Sequence, residues 1–439
     1  MSILTQVIDG MQDILTESSD IIGRETKFIQ RQRKLSGSSF VQTLVFGWLS
    51  NPEATLEELC QTASILGIQI SPPGLTKRFT SQASDCLEKV LEAAVSTVIA
   101  AEPVAIPILE RFNGVHIQDS SIVTLPNELA VIWAGCGGSS SKSSNSSVKM
   151  QLRLDLNTGE LAGPYLRPGR EHDQSYHLDK PLKGALLIRD LGYFALKEFK
   201  ELNEQGVYWL SRVKSSCDLL DESGRRWGLL ELLKNHCHDE LDMQIMLGVK
   251  EKVPCRLLAV RVPDEVAKLR RCKLISEAKR EGKKPSKKSL ELAGWTTLAC
   301  NVSCEKLSLK EAFVLMRARW QIELIFKLWK SCGFIDEWRT ENPWRILCEV
   351  YAKLIVMLIQ HWILLAGCWQ YPDRSLFKAV KTIRRHAINL ACAFASGSME
   401  RLLEALEIIQ GCLSVGCRIN KRRKIPHTYQ LLLALGDNP

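Results

Sequence analysis

VHIQDSSIVTLP, residues 115–126, is where the chain changes period. Apolar and polar residues alternate through VHIQD and the run ends in turn residues, so the spacing predicts a strand closing on Asp119. Upstream, EATLEELCQTASILG (53–67) and SQASDCLEKVLEAAVSTVIAA (81–101) repeat Leu, Val, Ala and Ile at intervals of three and four, which predicts helices over 1–105. SPPGLTKRFT (71–80) breaks that pattern and restarts it at Ser71, in outline a helix-turn-helix or simply two helices on a Pro-Gly turn. Downstream, the Gly/Ser-rich stretch 135–147 reads as a mobile loop, and VKMQLRLDLNTGELAG (148–163) as a hairpin turning at Asn157, Thr158 and Gly159. ALLIRD (185–190) is a continuous apolar run ended by charge, the pattern of a buried central strand. FALKEFKELNEQ then reads as a helix and VYWLSRVK (207–214) as another strand, so the fold class is mixed α/β.

Five segments follow from these shifts: a helical 1–105, an α/β part over 106–214, an insertion over 215–292, a second core part over 293–370 and a helical 371–439. The net charge of +9 is small for 439 residues, but it is not spread evenly. Residues 251–290 hold 13 Lys and Arg against 5 Asp and Glu, a net +8, in and around RRCKLISEAKREGKKPSKK. So much base without compensating acid points to nucleic acid. KRRK at 421–424 is a second, smaller basic patch or a solvated turn. Fifteen cysteines lie singly with no export signal, which fits a reducing cytoplasm better than a disulfide framework, and no spacing reads as a zinc site. LIVMLIQHWILLAGCW (354–369) is too short to span hydrocarbon and reads as a buried helix, so no membrane partner is expected.

Asp119 and Asp190 each close a strand of the α/β part. Side chains leaving the carboxyl ends of neighbouring strands converge on one crevice, where two carboxylates can share a divalent metal. Each alone is equally a solvated strand end. A third element is EAFVLMRARWQIELIFKLWKSCG (311–333), where helical spacing puts Met316, Arg319, Glu323, Phe326 and Lys330 on one face. An acid between two bases in an apolar stripe either works or forms a local ion pair.

RARWQIELIFKLWKS (317–331) resembles the signature of DDE transposases of insertion-sequence family four, the group that includes the bacterial transposon-five transposase. That signature is Tyr, two residues, Arg, three residues, Glu, six residues, Lys; here Met316, Arg319, Glu323 and Lys330 occupy the places, so the tyrosine is missing. QDSSIVTLP, TGE and IRDLGYF follow the same family's order upstream, and Trp295 stands 28 residues before Glu323, where relatives carry a tryptophan that stacks near a flipped nucleotide.

The resemblance implies an RNase H-like core interrupted by a mostly β, basic insertion. It implies that Asp119, Asp190 and Glu323 are catalytic and hold two ions of Mg²⁺ per active site, with Mn²⁺ able to substitute. Arg319 and Lys330 are then phosphate contacts, with Trp295, Arg212 and Lys214 further DNA-binding candidates. The expected activity is cut-and-paste transposition on double-stranded DNA ends and targets, through a hairpin, by a homodimer in a bacterial cytoplasm. Two other readings stay open: a metal-dependent nuclease without strand transfer, and a decayed relative that only binds DNA.

Overall fold

The computed structural model describes residues 2–31, 35–137, 144–173, 181–371, 373–420 and 428–435. KRRK at 421–424 and the centre of the Gly/Ser-rich stretch, 138–143, lie outside the described residues. Ten strands are present among them: β1 (Val115–Leu125), β2 (Ser146–Asp155), β3 (Leu161–Pro168), β4 (Leu186–Arg189), β5 (Tyr208–Arg212), β6 (Asp218–Leu220), β7 (Arg226–Gly228), β8 (Glu240–Leu247), β9 (Val253–Arg261) and β10 (Trp295–Cys300). With helices before, between and after them the protein is mixed α/β. The chain divides into two compact units, one of Met1–Ala105, Asp119–Glu171 and Trp320–Gln430, the other of Ile106–Gln118, His172–Arg319 and Leu431–Pro439. The division falls inside β1.

In the second unit β1 pairs parallel with β4, and β4 parallel with β5. Antiparallel β10, β9, β8, β6 and β7 follow outward from β5. Parallel strands need both faces covered, and every residue of β4 is buried. The helix Leu196–Glu204 covers one face: its Phe199 ring stacks on Trp209 of β5 at 4.1 Å, over a core that includes Leu187, Leu257 and Ala299. The strands of the insertion therefore extend the core sheet through β9 and β10. Its basic part, left without a secondary structure by the sequence pattern, is the helix Asp264–Arg280, of which only Ala267 is buried.

In the first unit β2 and β3 form the expected hairpin, with Gly159 at φ +72° in its turn. This hairpin follows the first-unit part of β1 in strand order. The scaffold of this unit is the 26-residue helix Pro343–Cys368, started by Pro343 behind the Asn342 cap, whose side chain accepts from the amides of Trp344 and Arg345. Its length and hydropathy would let it cross a membrane, yet 94% of its most apolar window is buried in protein. It packs against the helices Ser81–Ser96, Met399–Gly416, Gly37–Ser50 and Ile3–Asp13. Ser71 caps Pro72–Thr76 as its sequence predicts, and Lys77 ends that short helix before the next begins at Ser81.

The hairpin turn is docked onto the long helix. His361 Nε2–H donates to the Gly159 carbonyl at 2.7 Å and Trp369 Nε1–H to the Asn157 carbonyl at 3.1 Å. A Cβ on Gly159 would lie 2.4 Å from Leu365 and 2.6 Å from Trp369, which no side chain tolerates. Burial pushes the His361 imidazole from 6.5 down to about 4, the Arg374 charge adding to the shift and the Gly159 carbonyl opposing it. The unfolded chain binds this proton below pH 6.5 and the folded chain only near 4, so His361 withdraws stability as pH falls between those values. Comparing thermal unfolding of the protein and its His361→Gln variant from pH 7.5 to 4 should show the wild type losing about 3 kcal/mol more over this window. Glu88, whose carboxyl burial raises to about 7, titrates in both and cancels in the difference.

Candidate active site

Asp190 follows the last residue of β4 and keeps extended dihedrals, φ −84° and ψ 174°, before the turn Leu191–Tyr193. Arg189 pairs in register with Ser211, so the next residue on each chain, Asp190 and Arg212, stand together. Arg212 Nε lies 3.9 Å from Asp190 Oδ1, and Arg319 Nη2 lies 3.7 Å from Oδ2. These are charge contacts beyond hydrogen-bond length. Asp190 Oδ1 is itself buried and accepts no hydrogen bond from the described residues. Lys214, two residues past the end of β5, donates Nζ–H to the Phe194 carbonyl at 3.2 Å, which fastens the segment after Asp190.

Arg319 is almost fully buried at the end of the helix Leu309–Ala318, which Ser308 and Glu311 start with a reciprocal capping box. The single helix expected over 311–333 is interrupted here: a second helix, Trp320–Ser331, begins one residue later. Arg319 keeps helical dihedrals, φ −50° and ψ −30°, at this junction, and it belongs to the second unit while Glu323 belongs to the first. Met316, standing where the signature has tyrosine, is buried.

Asp119, half-buried in the first unit, does not close its strand as the alternation predicts: β1 runs on to Leu125, and Asp119 is the first residue past the part paired with β4, its Oδ1 accepting from the Ser120 amide at 2.9 Å. Glu323 occupies the first turn of Trp320–Ser331 and Lys330 the last, each at the end where the helix dipole favours its charge. Lys330 Nζ donates to the Ile122 carbonyl at 2.7 Å. The glutamate helix is thus tied to the strand three residues beyond Asp119, with two ammonium protons of Lys330 left for another acceptor.

Trp295 opens β10, half-buried against the second unit's core, with the register partner Arg261 over its ring at 5.2 Å. Arg270 of the basic helix donates to the Trp295 carbonyl and to Thr296 Oγ1, both at 3.0 Å, and its charge bears on Arg212. Arg261 and Arg270 escape a sequence reading, the first because pairing with Trp295 is a property of register and the second because it is one base among many.

Residues 111–359 match the family described as transposase DDE domain, more than half of the chain. The chain belongs to the DDE transposase family. Enzymes of this family cut and join DNA strands and use divalent metal ions. The chain is 28% identical over 382 residues to the transposase of insertion sequence IS231F of Bacillus thuringiensis subsp. israelensis, covering 81% of this chain and 79% of that one. It is 26% identical over 377 residues to the transposase of IS1151 of Clostridium perfringens, covering 79% and 78%. A cryo-EM structure of the piggyBac transposase synaptic complex with hairpin DNA aligns with 96% of this chain and 87% of that one, at a TM-score of 0.46 and 10% identity.

The donors suit such a metal one by one. Hard cations prefer carboxylate oxygens, and Asp190 Oδ1 is an acceptor with lone pairs to spare. Among the described residues no three His, Cys, Asp or Glu side chains form a ready cage. The structural role of Arg270 is testable by itself. Arg270→Ala should speed amide hydrogen exchange at the start of β10 by tenfold or more, with β4 and β5 protected as before, because it removes two hydrogen bonds worth about 1 kcal/mol each.

Proposed function

We propose that this DDE transposase is of the family-four type, binds the inverted repeats at the ends of its own insertion sequence and moves the element by cutting and rejoining DNA. The observation that carries this reading is a register. Gln118 of β1 pairs with Arg189 of β4, and each is followed in the chain by an aspartate. The family match spans both aspartates and Glu323.

On this reading Asp119, Asp190 and Glu323 hold Mg²⁺, two ions per site. Bound divalent ions supply activation of the attacking oxygen and neutralisation of charge on the departing one. The side chains do the rest. Arg212, half-exposed beside Asp190, turns its donors to a phosphate flanking the scissile bond, and the buried Arg319 adds its positive charge behind Asp190. Lys330 and Lys214 add point charges. Trp295, kept in place by Arg261 and Arg270, offers its ring face to a base turned out of the stack, which relieves the bend of a hairpin end. The 3′ hydroxyl freed by the first cut attacks the opposite strand, then, after reopening, the target.

Residues 1–105 help to hold the transposon end, the exposed basic helix Asp264–Arg280 lies along the duplex, and two chains hold two ends in the bacterial cytoplasm. Loss of the family tyrosine at Met316, whose thioether is buried, favours one second reading, a relative that binds DNA without cutting it.

A labelled inverted-repeat end incubated with the protein and Mg²⁺ separates these readings. Hairpins and joined products are expected; nicks alone would mark a nuclease, and retention without cutting a binder. Asp119→Asn, Asp190→Asn and Glu323→Gln should each lower cleavage by at least 10³-fold with end binding unchanged; full activity in Asp119→Asn would sink the metal assignment. Replacing Lys279, Arg280, Lys283 and Lys284 by Gln should flatten the slope of log affinity against log salt by about 0.9 for each phosphate that the variant no longer neutralises.

A further inference from the structure

Behind the two aspartates lies a buried polar network that no role yet described uses. Arg189 Nε–H donates to Gln118 Oε1 at 3.0 Å across the β1–β4 pair. Its Nη1 meets Glu198 Oε1 at 2.5 Å, with side-chain exposures of only 7% and 6%. The guanidinium also lies 5.6 Å from the centre of the Tyr193 ring. Glu198 belongs to the helix Leu196–Glu204, so the network lies on the helix-covered face of the sheet, beside Leu187 and Phe199.

Stability does not account for it. Desolvating a charged pair costs as much as the pair returns, and apolar residues of similar size serve such a position as well or better. Gln118 Nε2 is buried with no hydrogen bond among the described residues, a further cost. What the network does fix is register. Arg189 and Gln118 are the last paired residues of two parallel strands. A slip of one residue would turn the following side chain to the opposite face. Gln118 matches the Arg189 Nε–H in height and direction and accepts it, while Nη1 has its ion pair with Glu198 but no aligned hydrogen bond among the described residues.

We infer that Gln118, Arg189 and Glu198 form a register lock, three positioning residues that set where Asp119 and Asp190 emerge and so how tightly a divalent ion is held. The inference rests on the proposed reading of the aspartates as metal ligands. Residues behind metal ligands commonly tune affinity or activity by 10- to 100-fold.

The test is the double variant Arg189→Met, Glu198→Leu in the full chain. Its thermal midpoint should equal or exceed that of the wild type, and its affinity for the transposon end should be unchanged. Its affinity for Mn²⁺ alone, measured by electron paramagnetic resonance, and its kcat on that end should each fall by about 10- to 100-fold. A merely structural role would move the midpoint and leave Mn²⁺ affinity untouched. A stable double variant with wild-type Mn²⁺ affinity overturns the lock. Gln118→Leu is the second variant: it removes the unsatisfied amide, and soluble protein with undiminished Mn²⁺ affinity overturns the lock in the same way. Asp190→Asn in the otherwise wild-type chain separates the two claims, since Mn²⁺ binding that survives it overturns the metal reading and the lock together.

Discussion

The parallel pairing of β1 with β4 is the constraint on which the rest depends. Parallel strands cannot be joined by a tight turn, so the chain between Leu125 and Leu186 needs a long connection, and that connection carries the β2–β3 hairpin, whose strands belong to the sheet themselves. Once four residues of β1 are matched to four of β4, the chain direction puts an aspartate next on both strands. β5 then enters parallel to β4 and brings Arg212 level with Asp190. The placement of Asp190 beside Arg212 and of Gln118 beside Arg189 descends from these parallel registers, and a shift of one residue in them would undo it.

The first unit meets a different demand, to bury a helix that is apolar almost all round while accommodating the few polar groups on it. Lys353 shows how this is done. Its ammonium, on a side chain 2% exposed, pairs with Glu349 at 2.8 Å and donates to the carbonyls of Phe334 and Glu337 at 2.8 and 2.9 Å. Those carbonyls lie in the turn just after Trp320–Ser331, so a buried lysine satisfies the backbone where the glutamate helix ends. His361 does the same for the hairpin turn. Breaking either interaction would leave a buried charge or carbonyl unpaired, which costs more than the interaction itself contributes.

Strands with alternating or continuously apolar sequence, β2, β4 and the start of β1, were legible because period is a local property, and so were Ser71 and the helix over 354–369; the run of β1 past Asp119 to Leu125 was not, because the alternation there gives way to polar residues. The break at Arg319 was not. Residues 311–333 carry an unbroken helical pattern, and nothing local in it marks the junction at Arg319 between the two helices. Arg261 became visible only through its register with Trp295, and Gln118 only through Arg189, since pairing partners are unknown until the sheet is assembled. Glu198 looked like one more polar residue on an amphipathic helix. The missing tyrosine was plain in the sequence, but that Met316 is buried, and so offers nothing in its place, required the packing.

Charge around Asp190 decides what the site can hold. Two guanidiniums within 4 Å of one carboxylate leave that spot with a net positive charge, which by itself repels a dication. More carboxylate is therefore required before metal is held, and Asp119 and Glu323 are the acids that the proposed reading supplies. On that reading, two divalent ions on three carboxylates would make the sum positive again, and the arginines would make it more so. A phosphodiester brings negative charge, and its transition state spreads more of it over the attacking and leaving oxygens. A positive site of this kind would bind the reacting DNA more tightly as the reaction proceeds, which is the condition for catalysis and not merely for binding. The same arginines without the acids would make a DNA-binding surface and nothing more, so what separates an active transposase from a binder at this site is whether the three carboxylates are held together.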